Sequence, residues 1–297
     1  MIYKKFIKNK DIRLRILSLL SFIPDELMIR FQYWIKTGRL LNLSSPVRYT
    51  EKIQWYKLNY RNALVSVCSD KYHVRNFVQE NGYSYLLNEL YGVYEKACDI
   101  DFDKLPDSFA IKDTNGSGKN IFVRDKYKED IESIRSQISS WLDKGNINYG
   151  REWGYNNVTS KIIIEALLPR DENNDLPDYK FFCFDGRVEF LYTMVDYVDD
   201  HDAGCCSFFD RDFNQLKYRR SEYKEIDRNI PKPENFEEMI KIAEKLSSHF
   251  PHVRVDFYNI SGRIVFGELT FYNASGYTVF DPDEFDFIMG SKFTLSK

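Results

Sequence analysis

The chain is poor in the features that mark several large protein classes. Its five cysteines in 297 residues, Cys68, Cys98, Cys183, Cys205 and Cys206, are odd in number and form no C-x-x-C pair. That excludes a disulfide framework and leads us to expect a reducing, cytoplasmic setting. The longest apolar stretch near the N-terminus, Ile16 to Ile23, falls well short of the roughly 20 residues that a bilayer-spanning helix needs. With 42 basic and 45 acidic residues and a net charge of -3, the chain lacks the basic excess of a nucleic-acid binder, so no such partner is expected. It has no internal repeat and no low-complexity segment. P-loop (G-x-x-x-x-G-K-[ST]), dinucleotide (G-x-G-x-x-G) and nucleophile-elbow (G-x-S-x-G) spacings are all missing. His201-Asp202 with Cys205-Cys206 fits no zinc spacing and reads as a structural loop.

A hydrophobic content of 43% is enough for one large domain or two to three packed subdomains. Charge is uneven at the start: the first forty residues hold nine basic and three acidic side chains, a net of +6. Interleaved with Phe6, Ile7, Ile12, Ile16 and Leu19, these basics read either as an amphipathic helix on an anionic membrane face or as a helix on its own domain with solvated lysines. Helical signals dominate to about residue 90, with Thr50 as the expected N-cap of one helix and another over Asp70 to Glu80. Strands follow: "FAIK" and "IFV" around a glycine turn, "KIIIEALL", a hairpin at Asp185-Gly186, and a pair about Ser261-Gly262. Between them, Lys126 to Lys144 reads as a helix, residues 199–235 as loop, and Asn235 as a helix cap. The pattern is α+β with antiparallel sheets.

Charged residues inside apolar strands carry the chemistry. Lys112 follows Phe109-Ala110-Ile111, Glu165 ends an isoleucine run, Lys180 precedes Phe181-Phe182, Asp256 follows Val253-Arg254-Val255, and Glu268 follows Val265-Phe266-Gly267. An unpaired buried charge is too costly to persist, so each implies a partner. Lysines neutralise phosphate oxygens, glycine-turn N–H groups wrap them, and carboxylates hold the hard ion Mg²⁺. Two lysines and two carboxylates therefore suit a nucleoside triphosphate with its magnesium. The turn "NGSGKN" alone is a weak signal, since it equally describes a plain hairpin, and a lone strand lysine usually faces solvent.

Motifs in fixed order go further. "TEKIQWYKL", "DKYHVRNFV", "FDKLPDSFAIKDTNGSGKN", "YGREWGYNNV", "LPDYKFFCFDG" and "FPHVRVDFYNISGRIVFGELTFY" together resemble the TupA-like ATP-grasp family of polysaccharide-biosynthesis proteins, from about Leu43 to Tyr277. The resemblance implies an ATP-grasp fold behind a basic helical region at 1–45, with segments 46–105, 106–165 and 166–297 as a leading subdomain, a lid subdomain and a metal-bearing subdomain. It implies an ATP- and Mg²⁺-dependent ligase that activates a carboxylate as an acyl phosphate for attack by an amine. A sugar carboxylate or amino sugar, lipid-linked or nucleotide-linked, would be joined to an amino acid for a capsule, O-antigen or teichuronic-type polymer, with peripheral membrane contact through the N-terminal helix. Lys112, Gly116, Ser117, Gly118 and Lys119 would contact phosphates, Lys161 would join the nucleotide-binding set, Glu165 and Leu167 would meet the adenosine, and Lys180 the β- and γ-phosphates. Asp256, Glu268, Thr270 and Asn273 would form the metal shell, Arg254 would steady the transition state, and Arg151, Glu152 and Trp153 would grip the substrate.

Two positions depart from the usual pattern. Thr270 stands where ATP-grasp ligases commonly place asparagine, and Asn273 stands where relatives often carry proline. A glycosyltransferase using Asp200-His201-Asp202 as a D-x-D element, and an ATP-grasp frame without catalysis, are the other readings of these residues.

Overall fold

The computed structural model describes residues 10–116, 118–143, 148–156, 158–198 and 204–295. In chain order its helices are α1 (Lys10–Leu19), α2 (Asp25–Thr37), α3 (Tyr49–Asn59), α4 (Ala63–Ser69), α5 (Val74–Glu80), α6 (Ile131–Asp143), α7 (Phe236–Ser247) and α8 (Glu284–Lys292). Its strands are β1 (Leu90–Tyr94), β2 (Phe109–Asp113), β3 (Asn120–Val123), β4 (Ile162–Ala166), β5 (Asp178–Phe184), β6 (Arg187–Val195), β7 (Cys205–Asp210), β8 (Arg219–Arg220), β9 (His252–Ile260), β10 (Arg263–Thr270) and β11 (Phe280–Asp281). They fall into two compact units. One contains the described residues of Met1–Arg61, Asn148–Trp153 and Glu172–Lys297, and the other those of Asn62–Ile147 and Gly154–Asp171. The described residues of 62–147 and 154–165 thus share one unit, with β1 paired to β4, whereas 46–61 and 148–153 belong to the other.

In the smaller unit an antiparallel sheet runs β1-β4-β2-β3. Alternation along a strand sends successive side chains to opposite faces. Phe109 and Ile111 of β2 and Ile162 and Ile164 of β4 therefore enter the core, where Ile134 and Ile138 of α6 meet them. Lys112 and Glu165 lie on the other face. Helix α6 begins at Ile131 rather than at Lys126, because the Asp130 carboxylate takes the Ser133 N–H at 3.0 Å. Likewise α5 begins at Val74, with Asp70 Oδ1 accepting from the N–H groups of Tyr72 and His73 at 2.9 and 2.8 Å.

The larger unit holds an antiparallel sheet of order β10-β9-β5-β6-β7. Cys183 faces α7, with Sγ 3.9 Å from the Ala243 carbonyl, and the Phe181 ring packs tilted against Phe236 with centroids 5.7 Å apart. The even-numbered residues of β5 and β9 form the opposite face. At one end it is aromatic, with Phe182, Phe184 and His252 around Tyr49 of α3; at the other it is charged. Residues 199–235 are not all loop as expected: β7 pairs with β6, and because Cys206, Ser207, Phe208 and Phe209 are all buried, no alternation marks this strand in the sequence. Arg48, not Thr50, precedes α3 as its cap. Thr50 is already within the helix, giving its N–H and hydroxyl to the Asp286 carboxylate at 2.9 and 2.8 Å. Asn235 precedes α7 as expected, yet its amide donates to the Gly262 carbonyl at 2.8 Å rather than capping the helix through its side chain.

Candidate active site

Antiparallel register assembles the charged end of the larger sheet. Lys180 on β5 lies opposite Asp256 on β9 and opposite Tyr192 on β6. Its ammonium donates to Asp256 Oδ2 at 2.6 Å and also pairs with Asp178. Arg254, two residues before Asp256 and therefore on the same face, donates to both Asp256 oxygens at 2.7 and 2.6 Å. The same guanidinium reaches Glu268 at 3.1 Å, the Thr270 hydroxyl at 2.9 Å, the Tyr192 hydroxyl at 3.1 Å and the Asn273 side-chain oxygen. Thr270 donates in turn to Glu268 at 2.8 Å.

The four residues expected to form a metal shell are thus gathered around one arginine. A planar fork with several donors can do this, whereas a lysine cannot. A β-bulge between Phe266 and Glu268 makes the gathering possible, since Phe266 pairs with Phe257 yet Glu268 pairs with Asp256. The extra residue is Gly267, where an added Cβ would lie 3.0 Å from the Asp256 carbonyl oxygen. Without the bulge, Glu268 would face Val255 on the wrong side of the sheet.

Charge and burial set the protonation here. Burial pulls the Lys180 ammonium down, but Asp178 and Asp256 outweigh it and hold its pKa well above the ordinary lysine value. Burial also opposes the Arg254 charge, and Asp256 with Tyr192 reverses that, leaving it well above the usual arginine value. Asp178 is pushed up to about 6, by burial first and by Asp256, against the opposing pull of Lys180. Sequence reasoning missed Asp178, Tyr192 and Arg220, which donates to the Tyr192 hydroxyl at 3.2 Å. The alternation Asp178-Tyr179-Lys180 was the available signal for the first.

In the smaller unit the other face of the sheet carries Glu165 between two cations, Lys112 Nζ at 2.9 Å and Arg75 Nη1 at 2.9 Å. Arg75 of α5 was not anticipated. The turn after β2 is built on Asp113, whose Oδ1 accepts from the Asn115 N–H and the Ser160 hydroxyl, both at 2.9 Å. Its Oδ2 takes Lys119 Nζ at 2.5 Å. Gly116 and Gly118 have φ of 84° and 80°, a left-handed conformation that favours glycine. Lys71 steadies the turn through the carbonyls of Asp113 at 3.0 Å and Gly116 at 2.5 Å. Ser117 lies outside the described residues. Lys161 is paired with Glu95 at 3.0 Å, and Leu167 is half-buried just past β4.

The expected substrate residues are placed individually in the larger unit. Arg151 donates to Asp25 at 2.7 Å and to the Leu20 carbonyl at 3.1 Å. Trp153 lies beneath the Arg61 guanidinium, 5.2 Å from ring centroid to charge. Glu152 acts on Lys57, a buried lysine of α3 whose ammonium donates to the carbonyls of Gly150 and Ser275 at 3.0 and 2.5 Å. Burial pulls the Lys57 pKa down to about 7, against Glu152 and with Lys36. Ala274 and Ser275 have φ of 47° and 55°, and Gln54 holds the Ser275 and Gly276 carbonyls at 3.0 and 2.8 Å. This strained segment follows directly from Asn273.

The donors Asp256, Glu268, Thr270 and Asn273 are all hard oxygens, the chemistry that Mg²⁺ prefers. Among the described residues the Asn273 amide nitrogen is buried with no hydrogen-bond partner, and the Glu268 side chain is 43% exposed. The set fits magnesium by donor type. Among the described residues, no three His, Cys, Asp or Glu side chains converge to hold an ion on their own. The hydroxyl and amide oxygens therefore have to complete any shell built on the two carboxylates.

A family model described as TupA-like ATPgrasp matches residues 51–294. No curated protein matches the chain. Among solved structures, D-alanine–D-alanine ligase from Bacillus anthracis complexed with ATP is 14% identical, over 70% of this chain and 56% of that one, with a TM-score of 0.43. L-amino acid ligase from Bacillus licheniformis is 12% identical over 84% of this chain and 56% of that one, TM-score 0.46. D-alanine–D-alanine ligase from Helicobacter pylori is 15% identical over 77% and 62%, TM-score 0.42. The chain spans between 56% and 62% of the length of these structures.

Proposed function

The chain belongs to the TupA-like ATP-grasp family, and from that premise we propose that it is an ATP- and Mg²⁺-dependent ligase joining a carboxylate to an amine. The observation that carries this reading is the network in which Arg254 and Lys180 hold Asp256 of β9, Glu268 and Thr270 of β10, and Asn273 three residues beyond β10. Mg²⁺ on the oxygens of Asp256, Glu268, Thr270 and Asn273 would neutralise phosphate charge during transfer to a carboxylate. Lys180 contributes a fixed positive charge, because its two carboxylate partners keep it protonated. Arg254 orients the oxygens of these four residues and is the charge available to steady an acyl-phosphate-forming transition state. Lys112, Lys119 and the turn at Gly116 and Gly118 supply cations and backbone N–H groups suited to phosphate oxygens.

The substrates in this reading are an amino acid and a sugar carboxylate or amino sugar, and the product is an amide in a surface polysaccharide such as capsule or O-antigen. Trp153, Arg151 and Glu152 are the residues proposed to meet the substrate, and the setting is the cytoplasm. The test is ADP release that requires both a carboxylate and an amine, with the amide identified by mass spectrometry. Undiminished amide formation by a Lys180→Ala, Glu268→Ala double variant overturns the proposal.

A further inference from the structure

Helix α2 is apolar on two sides. Met28, Ile29, Gln32 and Tyr33 are buried inward, whereas Leu27, Phe31 and Trp34 form an exposed stripe at i, i+4 and i+7. Helix α1 repeats the spacing with exposed Ile12, Ile16 and Leu19, and Phe22 in the connection between them is 81% exposed. Among the described residues, eight of the fourteen exposed large hydrophobics lie between Ile12 and Leu40. A surface helix ordinarily turns one apolar face inward and a polar face outward, so a second apolar stripe calls for a cover. Phe31 and Trp34, with ring centroids 6.5 Å apart, are side chains suited to the headgroup level of a bilayer.

Charge selects the cover. Arg30 and Arg39 of this region are held by Glu26 and Asp283, and Lys36 lies over the Tyr277 ring. The first fifteen residues nonetheless carry six basic side chains and a single acidic one, a net of +5 in a chain whose total is -3. A second copy would bring the same positive charge against itself. An anionic bilayer offers both the opposite charge and an apolar layer reached at shallow depth. No described helix is long and apolar enough to cross a membrane, so the contact lies in the interface.

We propose that the exposed stripes of α1 and α2 dock the protein on an anionic membrane surface, which the positive charge of the sequence's first fifteen residues favours. The proposal does not rest on the ligase reading, because its readout is lipid binding. The full chain is sedimented with vesicles of phosphatidylcholine alone and of phosphatidylcholine mixed with phosphatidylglycerol. Binding is expected only to the anionic vesicles and is expected to fall as salt rises. The Phe31→Glu, Trp34→Glu variant changes exposed positions and should keep the wild-type circular dichroism, while binding falls by about tenfold or more. Equal binding by wild type and variant, equal binding to neutral vesicles, or a dimer in light scattering that the variant abolishes, would each overturn it.

Discussion

The two charged clusters of this molecule solve the same problem at different depths. On the larger sheet, Lys180, Arg254 and Asp256 have side chains 11%, 7% and 2% exposed and share partners in one network. On the smaller sheet, Lys112 and Arg75 are 24% and 15% exposed and meet only at Glu165. A cation near water can recover solvation when its partner is lost, but a fully buried one cannot. The deep cluster therefore fixes geometry at a high cost of disruption. The shallow one holds its lysine more loosely, beside a glycine turn.

Removing the central carboxylate of each cluster is the severest trial of that contrast. Asp256→Ala leaves Lys180 and Arg254 buried with much of their compensation gone, and should cost about 3–5 kcal/mol in urea unfolding. In the proposed ligase, ATP-dependent turnover should be lost with it. If Asp256→Ala unfolds at the same denaturant concentration as wild type, the deep network does not hold the sheet as its geometry implies.

The aromatic end of the same face carries a pH dependence of its own. His252 is fully buried, donates from Nδ1 to the Cys183 carbonyl at 2.9 Å and accepts the Tyr49 hydroxyl at 3.0 Å. Burial first, and Arg254 after it, lower its pKa from 6.5 to about 3. Between those values the unfolded chain binds a proton that the folded chain refuses, so stability is full above about 6.5 and is lost as pH falls toward 3. Unfolding titrations at pH 7 and pH 5 should show wild type weakened at the lower pH. A His252→Gln variant should lack that part of the slope, and an unchanged slope would assign the effect to carboxylates instead.

Glu165→Gln is the milder counterpart to Asp256→Ala. It keeps the shape of the side chain and leaves Lys112 and Arg75 partly solvated, so the expected loss is about 1–3 kcal/mol. A loss equal to that of Asp256→Ala would erase the distinction between deep and shallow clusters. A normal stability with weakened ATP binding, read by calorimetry, would instead sharpen it by showing that Glu165 serves the ligand more than the fold.

Much of this arrangement was legible in the sequence, for an identifiable reason. Lys112, Lys180, Asp256 and Glu268 stand out because each interrupts an apolar strand, and β-alternation then gives their face. Arg254 and Thr270 follow by a spacing of two. Register was not legible, since nothing local announces that the bulge at Gly267 brings Glu268 opposite Asp256. Nor were Arg75 and Lys57 legible, because a basic residue on a helix ordinarily faces solvent, and only tertiary packing turns these inward. β7 was hidden because its buried run shows no alternation, and Thr50 suited the role of a cap while serving Asp286 instead.

The finest test sets one glycine of each region against the other. At Gly116 an added Cβ would meet nothing within 4 Å among the described residues, but φ is +84°. Gly116→Ala should therefore cost about 1–2 kcal/mol from left-handed backbone strain alone, with packing untouched. At Gly267 a Cβ would crowd the Asp256 backbone, its carbonyl oxygen at 3.0 Å and its carbonyl carbon at 3.4 Å. Gly267→Ala must therefore shift β10 against β9 and move Glu268 away from Arg254. In the proposed ligase the first change should act mainly on the KM for ATP, as the shallow turn is strained. The second should act mainly on kcat, as the donor set loses its register. Steady-state kinetics of the two variants, with hydrogen exchange at the β9–β10 amides, separate the outcomes. An identical KM and kcat pattern for both would mean that the turn and the bulge serve the fold in the same way.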